Sequence, residues 1–316
     1  MQIVNGLGDT ESLNGVGNLI VGYNEFGNTD GDDRTGSHNI VGGLRSSFKG
    51  AGGLVLGRSN TIEGNLSTVL GGQFNMATGF SSSVAGGNQQ LASGISSSIS
   101  GGSHNTASGY VSSISGGSFN VANTNRTWVG GGRDNVASGN NSAVSGGRNN
   151  RAGATYASVS GGRSNEATMP YASAFGGDNN LASGERSVVS GGLNNIAEGF
   201  ESCVSGGNDN TASGNRSSVS GGQNNLASGQ SSISGGVNGL TTNFFASVGG
   251  GADNRANGFA STVSGGSDGT AVGGYATVSG GYLNVASGTS STVSGGLNRS
   301  TFGSYDWRAG DLFEGD

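Results

Sequence analysis

Two histidines, His38 and His104, are the only imidazoles in 316 residues, while Ser occurs throughout. A serine nucleophile needs a base held beside its hydroxyl and a third group orienting that base. His38 lies near the N-terminus and His104 in a variable stretch, so neither marks such a set. Asp30, Asp32 and Asp33 form the sole acidic cluster, which reads as a solvated loop in preference to a metal site. Cys203 is the single cysteine, which excludes an intramolecular disulfide or a Cys-rich zinc module. It stands where neighbouring segments have Ser and reads as a passive substitution. Gly-Gly pairs are frequent, but no Gly-Lys-Ser/Thr follows them, so they are not phosphate-cradling loops. Calcium-binding rolls repeat Gly-Gly-x-Gly-x-Asp, and here Asp recurs in no column. No catalytic residue, cofactor or metal is expected.

Composition narrows the field further. The chain has 67 Gly, 1 Pro, 11% charged and 32% hydrophobic residues. An ordinary domain carries roughly 25% charged and 45–50% apolar residues. The net charge of −6 is thinly spread, which leaves no footprint for nucleic acid or an anionic membrane. No apolar run is long enough to insert in a membrane, and Gly lacks the Gly-X-Y period of collagen. Composition alone points to disorder. The order of the residues overturns that.

From Gly71 a Gly-Gly pair returns every 15 residues to Gly221, steps by 14 to Gly235, and resumes at 15 to Gly295. Val41-Gly42-Gly43, Val55-Leu56-Gly57 and Leu19-Ile20-Val21-Gly22 are fainter copies upstream. The unit reads S-S-V-S-G-G-x-x-N-x-A-S-G-x-x. Two residues before the pair, fifteen of sixteen copies have Val or Ile; six after its first Gly, fourteen have Ala. β-Branched residues favour extended backbone. The unit therefore predicts two short strands, each sending one side chain into a narrow interior while the Ser residues flanking Val face away. The Gly-Gly pair and a second Gly two after the Ala read as corners, where positive φ or close backbone approach is needed. Asn75, Asn105, Asn120, Asn135, Asn150, Asn165, Asn180, Asn195, Asn210 and Asn225 form a column four after the first Gly. It reads as a structural ladder of stacked amides or as local hydrogen bonding at the corner.

The expected fold is all-β: a parallel β-solenoid of about eighteen coils, which at strand spacing makes a rod roughly 85 Å long. Its predicted divisions are an N-terminal cap over 1–40, repeats over 41–299 and a C-terminal cap over 300–316. Trp307, Leu312 and Phe313 are the candidates to cover the last coil. Two small apolar side chains per coil cannot offset the ordering of fifteen residues. The remaining cohesion must come from coil-to-coil hydrogen bonds, close packing of Ser and Gly, or burial against other chains.

The consensus S-V-S-G-G-x-x-N-x-A-S-G resembles the head repeat of trimeric autotransporter adhesins, a haemagglutinin-type repeat written N-S-V-A-I-G-x-x-S-x-A-x-G. Val, the corner Gly, Ala and the final Gly keep their spacings over roughly residues 41–300. Gly71, Gly86 and Gly101 stand where the family has Ile, and the Asn column where it has Ser. The resemblance implies a left-handed parallel β-roll, packed as a homotrimer and displayed on a bacterial surface for attachment to a host surface or glycan. Similar repeats occur in phage and secreted fibres. Met1 runs into Gln-Ile-Val-Asn with no basic-plus-apolar leader, and no heptad stalk or C-terminal membrane barrel is present. A mature or truncated piece, or another export route, is therefore expected.

Two outward features are candidates for recognition. Aromatics gather in the two variable positions after the second corner Gly: Phe80, Tyr110, Tyr156, Tyr171, Phe200, Phe244, Phe245, Phe259 and Tyr275. They form a broken stripe suited to sugars or protein partners, or else pack over Gly corners or into an intersubunit seam. Arg133, Arg148 and Arg163 form a local basic strip, either solvated or suited to an anionic sugar. The expected function is a noncatalytic extracellular structural or adhesive rod. Ice binding is an alternative, although Thr precedes Val only at Thr68, Thr262, Thr277 and Thr292. A glycan-degrading β-helix lacks the clustered carboxylates it needs.

Overall fold

The computed structural model describes residues 2–309, and the chain divides into two compact units, Met1–Gly161 and Gly162–Asp316. Each unit is an all-β parallel solenoid, with no helix among the described residues. Positions 1–15 of a coil are counted from the first Gly of the pair.

The coil that begins at Gly191 shows why this unit repeats. Ile196–Ala197 and Cys203–Val204 are its two-residue strands. Ile196 pairs in parallel with Leu181 and Thr211, and Val204 with Val189 and Val219. Leu193, at position 3, adds a one-residue bridge to Asp178 and Asn208. The two expected strands are present, and this bridge gives each coil a third side. Asn195, Ala197, Ser202 and Val204 fill the interior, each at most 1% exposed. Inward side chains therefore fall at positions 5, 7, 12 and 14. The strand alternation places Cys203 and Ser205 outward, as the Ser columns flanking Val predict. Ser at position 12, two residues before Val, faces inward. Its consistent burial extends the interior beyond the Val and Ala pair.

Cohesion comes from the backbone. Leu193, Ile196 and Ser205 donate their N–H groups to Gly207, Asn210 and Val219 of the next coil at 2.8–2.9 Å. Asn194 and Glu201, both in the left-handed region, donate backwards to Asp178 and Glu185 at 3.0 and 2.9 Å. Bonds run both ways along the stack, and they supply what the small apolar interior lacks.

Three bends of a regular coil are left-handed, and only one of them falls on Gly. In the coil starting at Gly71 they are Gly72, Phe74 and Ser81, with φ of 75°, 57° and 52°. Gly79, at position 9, is needed for a different reason. A Cβ there would overlap the carbonyl of Gly94 in the next coil. Gly71 itself meets nothing within 4 Å and has no positive φ. The three Gly columns are thus under three different constraints.

The first coils depart from the regular unit. Ile40–Leu44 and Leu54–Arg58 are five-residue strands in register with each other. Their 14-residue spacing removes one residue at the Gly-Gly corner, so the strand continues through it. Phe48 and Ile62 occupy the Ala position and are fully buried. Gly53 at the Ser position makes room, because a Cβ there would lie 2.6 Å from Ile62 Cδ1.

Strand pairing extends into both stretches predicted as caps. Leu19–Val21 already pairs with Ile40–Gly42, inside the stretch assigned to the N-terminal cap. Ser300–Thr301 and Trp307–Arg308 continue the two strand columns inside the C-terminal one. Trp307 faces outward at 68% exposure and donates its indole N–H to Ser294 Oγ at 2.8 Å, so it covers no coil end. Leu312 and Phe313 lie outside the described residues.

Candidate functional site

The Asn column is a backbone staple rather than an amide stack. Asn120 Oδ1 accepts the N–H of Asn135 at 3.0 Å. Its Nδ2 donates to Gly116 O in its own coil and to Gly132 O in the next, both at 3.0 Å. Asn75, Asn105, Asn135, Asn195 and Asn210 make the same three bonds. Asn180 does so too. Asn150 Nδ2 donates to Gly146 O at 2.8 Å, and Asn165 links to Asn180 N–H and Gly177 O. Asn225 repeats the pattern and is also bonded to Asn210 Oδ1 at 3.1 Å, the amide-to-amide contact a ladder predicts. All ten are at most 1% exposed. At this corner one short carboxamide bonds an N–H and two carbonyls, the second of which also accepts a backbone N–H, as Gly132 O does from Ser118.

Stacked amides do occur, on the outside. At position 4 of the second unit, Asn179 donates to Asn194, Asn194 to Asp209, Asn224 to Asn238 and Asn238 to Asp253, at 2.9–3.2 Å. These residues adopt the left-handed backbone, which Asn and Asp tolerate. The signal for this column was a run of Asn and Asp just before the buried Asn.

The aromatic stripe is exposed and broken. In the first unit Phe80 and Tyr110 are 47% exposed, with Ile95 in the same column between them at 51%. Tyr156 lies at position 11 instead of 10, at 50% exposure. In the second unit Tyr171 and Phe200 flank Arg186, whose guanidinium carbon lies 5.8 and 5.6 Å from their ring centres. Phe245, Phe259 and Tyr275 stand in successive coils and meet edge to face at 5.7 and 5.5 Å. Phe244 is 56% exposed beside them. The stripe therefore consists of short clusters.

The Arg strip is partly neutralised. Arg133 is paired with Asp134 at 3.1 Å. Arg163 meets the Asp178 carboxylate through Nε at 3.0 Å and through a second guanidinium nitrogen. That hydrogen-bonded pairing holds Asp178 below the usual carboxylate range and raises Arg163. Asp134 is the sequence neighbour of Arg133, whereas Asp178, fifteen residues from Arg163, becomes its partner only through the coil register. An uncompensated basic strip is not formed.

The remaining candidates have structural tasks. Asp32 accepts the N–H groups of Gly27 and Asn28 at 2.9–3.1 Å, and these bonds lower its pKa. Asp33 is lowered mainly by Thr35, whose hydroxyl and N–H it accepts at 2.6 and 2.9 Å. No group of three or more metal-ligating side chains exists among the described residues. His38 accepts the Asn5 N–H and bonds Thr10 O, while His104 stacks on Phe119 at 4.7 Å. Cys203 is half-buried in the Ser column. Thr262, Thr277 and Thr292 lie side by side over three coils only. No described helix is long and apolar enough to cross a membrane.

No protein-family model matches the chain, and no curated protein matches it. The class defined by the structure is a parallel β-solenoid repeat protein.

Proposed function

We propose that the protein is a noncatalytic structural and adhesive solenoid, working outside the cell or at its surface, that attaches through its outward columns. The observation that carries this reading is the division between fixed and variable positions. Interior positions 5, 7, 12 and 14 hold neutral Asn, Ala, Ser and Val, with few exceptions. Aromatic and charged groups vary freely at positions 3, 4, 10 and 11, where they face solvent. That arrangement suits a scaffold that displays groups at regular intervals, and exposed aromatic clusters suit contact with a partner. The resemblance to adhesin head repeats supports attachment as the role and a homotrimer as the assembly.

Beads coated with the purified chain and driven in flow over immobilised cell-surface glycoproteins test the reading. Retention above albumin-coated beads is expected; equal retention overturns it. Light scattering tests the assembly, with three times the 30.8 kDa chain mass expected.

A further inference from the structure

Between positions 9 and 12 a regular coil carries two outward residues, at positions 10 and 11. One coil of the second unit, running from Gly221 to Ser234, lacks position 11, so that Gln230 is followed directly by Ser231. Elsewhere the position 11 N–H donates to the position 10 carbonyl one coil earlier. Arg216 donates in this way to Phe200 at 2.7 Å and Ala260 to Phe244 at 2.9 Å. With that residue missing, the Asn215 carbonyl receives no backbone donor. The shortened corner also opens a trough of about 570 Å³ between Phe200 and Phe244, within the size range of ligand sites.

The two rings stand three coil steps apart, about 14 Å at strand spacing. The floor between them is polar. Gln230 makes no side-chain hydrogen bond within the described chain, so its carboxamide offers donors and an acceptor. Asn215 uses Oδ1 to accept the Phe200 N–H at 3.1 Å and keeps its amide protons. Arg216 is held on Glu201 through Nε at 3.0 Å, and Arg186 approaches the same carboxylate at 3.6 Å. The Arg216 guanidinium is thereby positioned, and its charge is partly offset.

We infer that this trough binds a short, neutral oligosaccharide. The C–H faces of sugar rings match the aromatic walls, and their hydroxyls match the open carbonyl, the two carboxamides and the guanidinium. The net charge of −6 favours a neutral ligand over an anionic one. The inference rests on the proposed attachment role and names its chemical target. Loss of one residue at the Gly-Gly corner of the early coils lengthens a strand, whereas the same loss here uncovers a floor.

Calorimetric titration of the full chain with chitohexaose, cellohexaose and maltohexaose tests it. At least one is expected to bind. Its affinity should fall roughly tenfold or more, about 1.4 kcal/mol, in Phe244→Ala and in a variant with Ser inserted between Gln230 and Ser231. The insertion restores the regular corner, so circular dichroism should be unchanged; if it misfolds, Phe244→Ala alone decides. Absence of binding by all three sugars, or unchanged affinity in Phe244→Ala, overturns the site. Bead retention without sugar binding rejects the trough and leaves attachment intact, so the two failures are distinguishable.

Discussion

Most coils bury polar side chains at two corners, Asn at position 5 and Ser at position 12, and use them differently. The Asn carboxamide bonds three backbone groups in two coils, as Asn120 does with Asn135 N–H, Gly116 O and Gly132 O. At the other corner the hydroxyls of Ser82, Ser97, Ser112, Ser202, Ser217 and Ser261 are buried with no hydrogen-bond partner. Ala157, Ala172, Ala246 and Ala276 fill that position elsewhere and are just as buried. Equal depth does not mean equal importance. The Asn corner is held by hydrogen bonding, whereas the other corner is bonded only in some coils, as at Ser67, Thr127, Ser142 and Ser187, and elsewhere is filled by size alone.

The largest expected effect is therefore at the Asn corner. Asn120→Ala leaves Asn135 N–H and Gly116 O without a partner, each costing ~1–3 kcal/mol when left unmade, whereas Gly132 O keeps the Ser118 N–H at 2.9 Å. A loss of about 4 kcal/mol is expected in urea unfolding. A loss below about 1 kcal/mol would show that water replaces the amide and that the carboxamide does not clamp the corner.

Next come two glycines that the sequence makes look alike. Gly94→Ala drives a Cβ into the carbonyl of Gly109, a backbone atom that cannot step aside without breaking coil-to-coil bonds. Overpacking of this kind costs ~1–3 kcal/mol or more. Gly86→Ala meets nothing within 4 Å and sits at no positive φ. It is expected to be neutral, or to stabilise by about 0.5 kcal/mol through the unfolded chain. Melting temperatures of the two variants decide, and equal shifts would contradict the separation of the two Gly columns.

A natural exception sharpens the Asn argument in the other direction. Gln90 occupies an Asn position; its Oε1 accepts the Asn105 N–H at 3.0 Å, but its buried Nε2 has no partner. One extra methylene carries the nitrogen past the carbonyls that Asn reaches. Gln90→Asn is expected to stabilise by about 1 kcal/mol, read as a raised urea midpoint. A lowered midpoint would mean that the longer side chain is needed to fill the interior.

These contrasts mark how far the sequence could be read. Val and Ala columns at a fixed period establish strands and stacking, because β-branched residues and Gly corners have few other solutions. The Asn column is equally visible, but whether its amides meet each other or the backbone depends on which way three peptide groups turn. Periodicity carries no information on that. Ser at position 12 was hidden among other Ser residues, since four Ser columns of similar composition face in different directions. For the outward groups, Asp178 lies fifteen residues from Arg163 and becomes its partner only through the register. The 14-residue step was plain in the spacing. That it removes position 11, and so opens a trough between Phe200 and Phe244, needed the coil itself.

The smallest expected effect completes the comparison. Ser112 is fully buried and its hydroxyl is unpartnered, whereas its Cβ helps fill the corner. Removing an unpaired hydroxyl relieves a desolvation cost, and the void it leaves is about one atom in size. The two terms oppose each other, and Ala already serves this position in four coils. Ser112→Ala is therefore expected to lie between neutral and about 1 kcal/mol stabilising. Ser142 differs, because its Oγ accepts the Gly139 N–H at 3.1 Å. Ser142→Ala should destabilise by about 1 kcal/mol in the same urea experiment. If both variants lose stability equally, the Ser corner is bonded throughout and its contrast with the Asn corner fails.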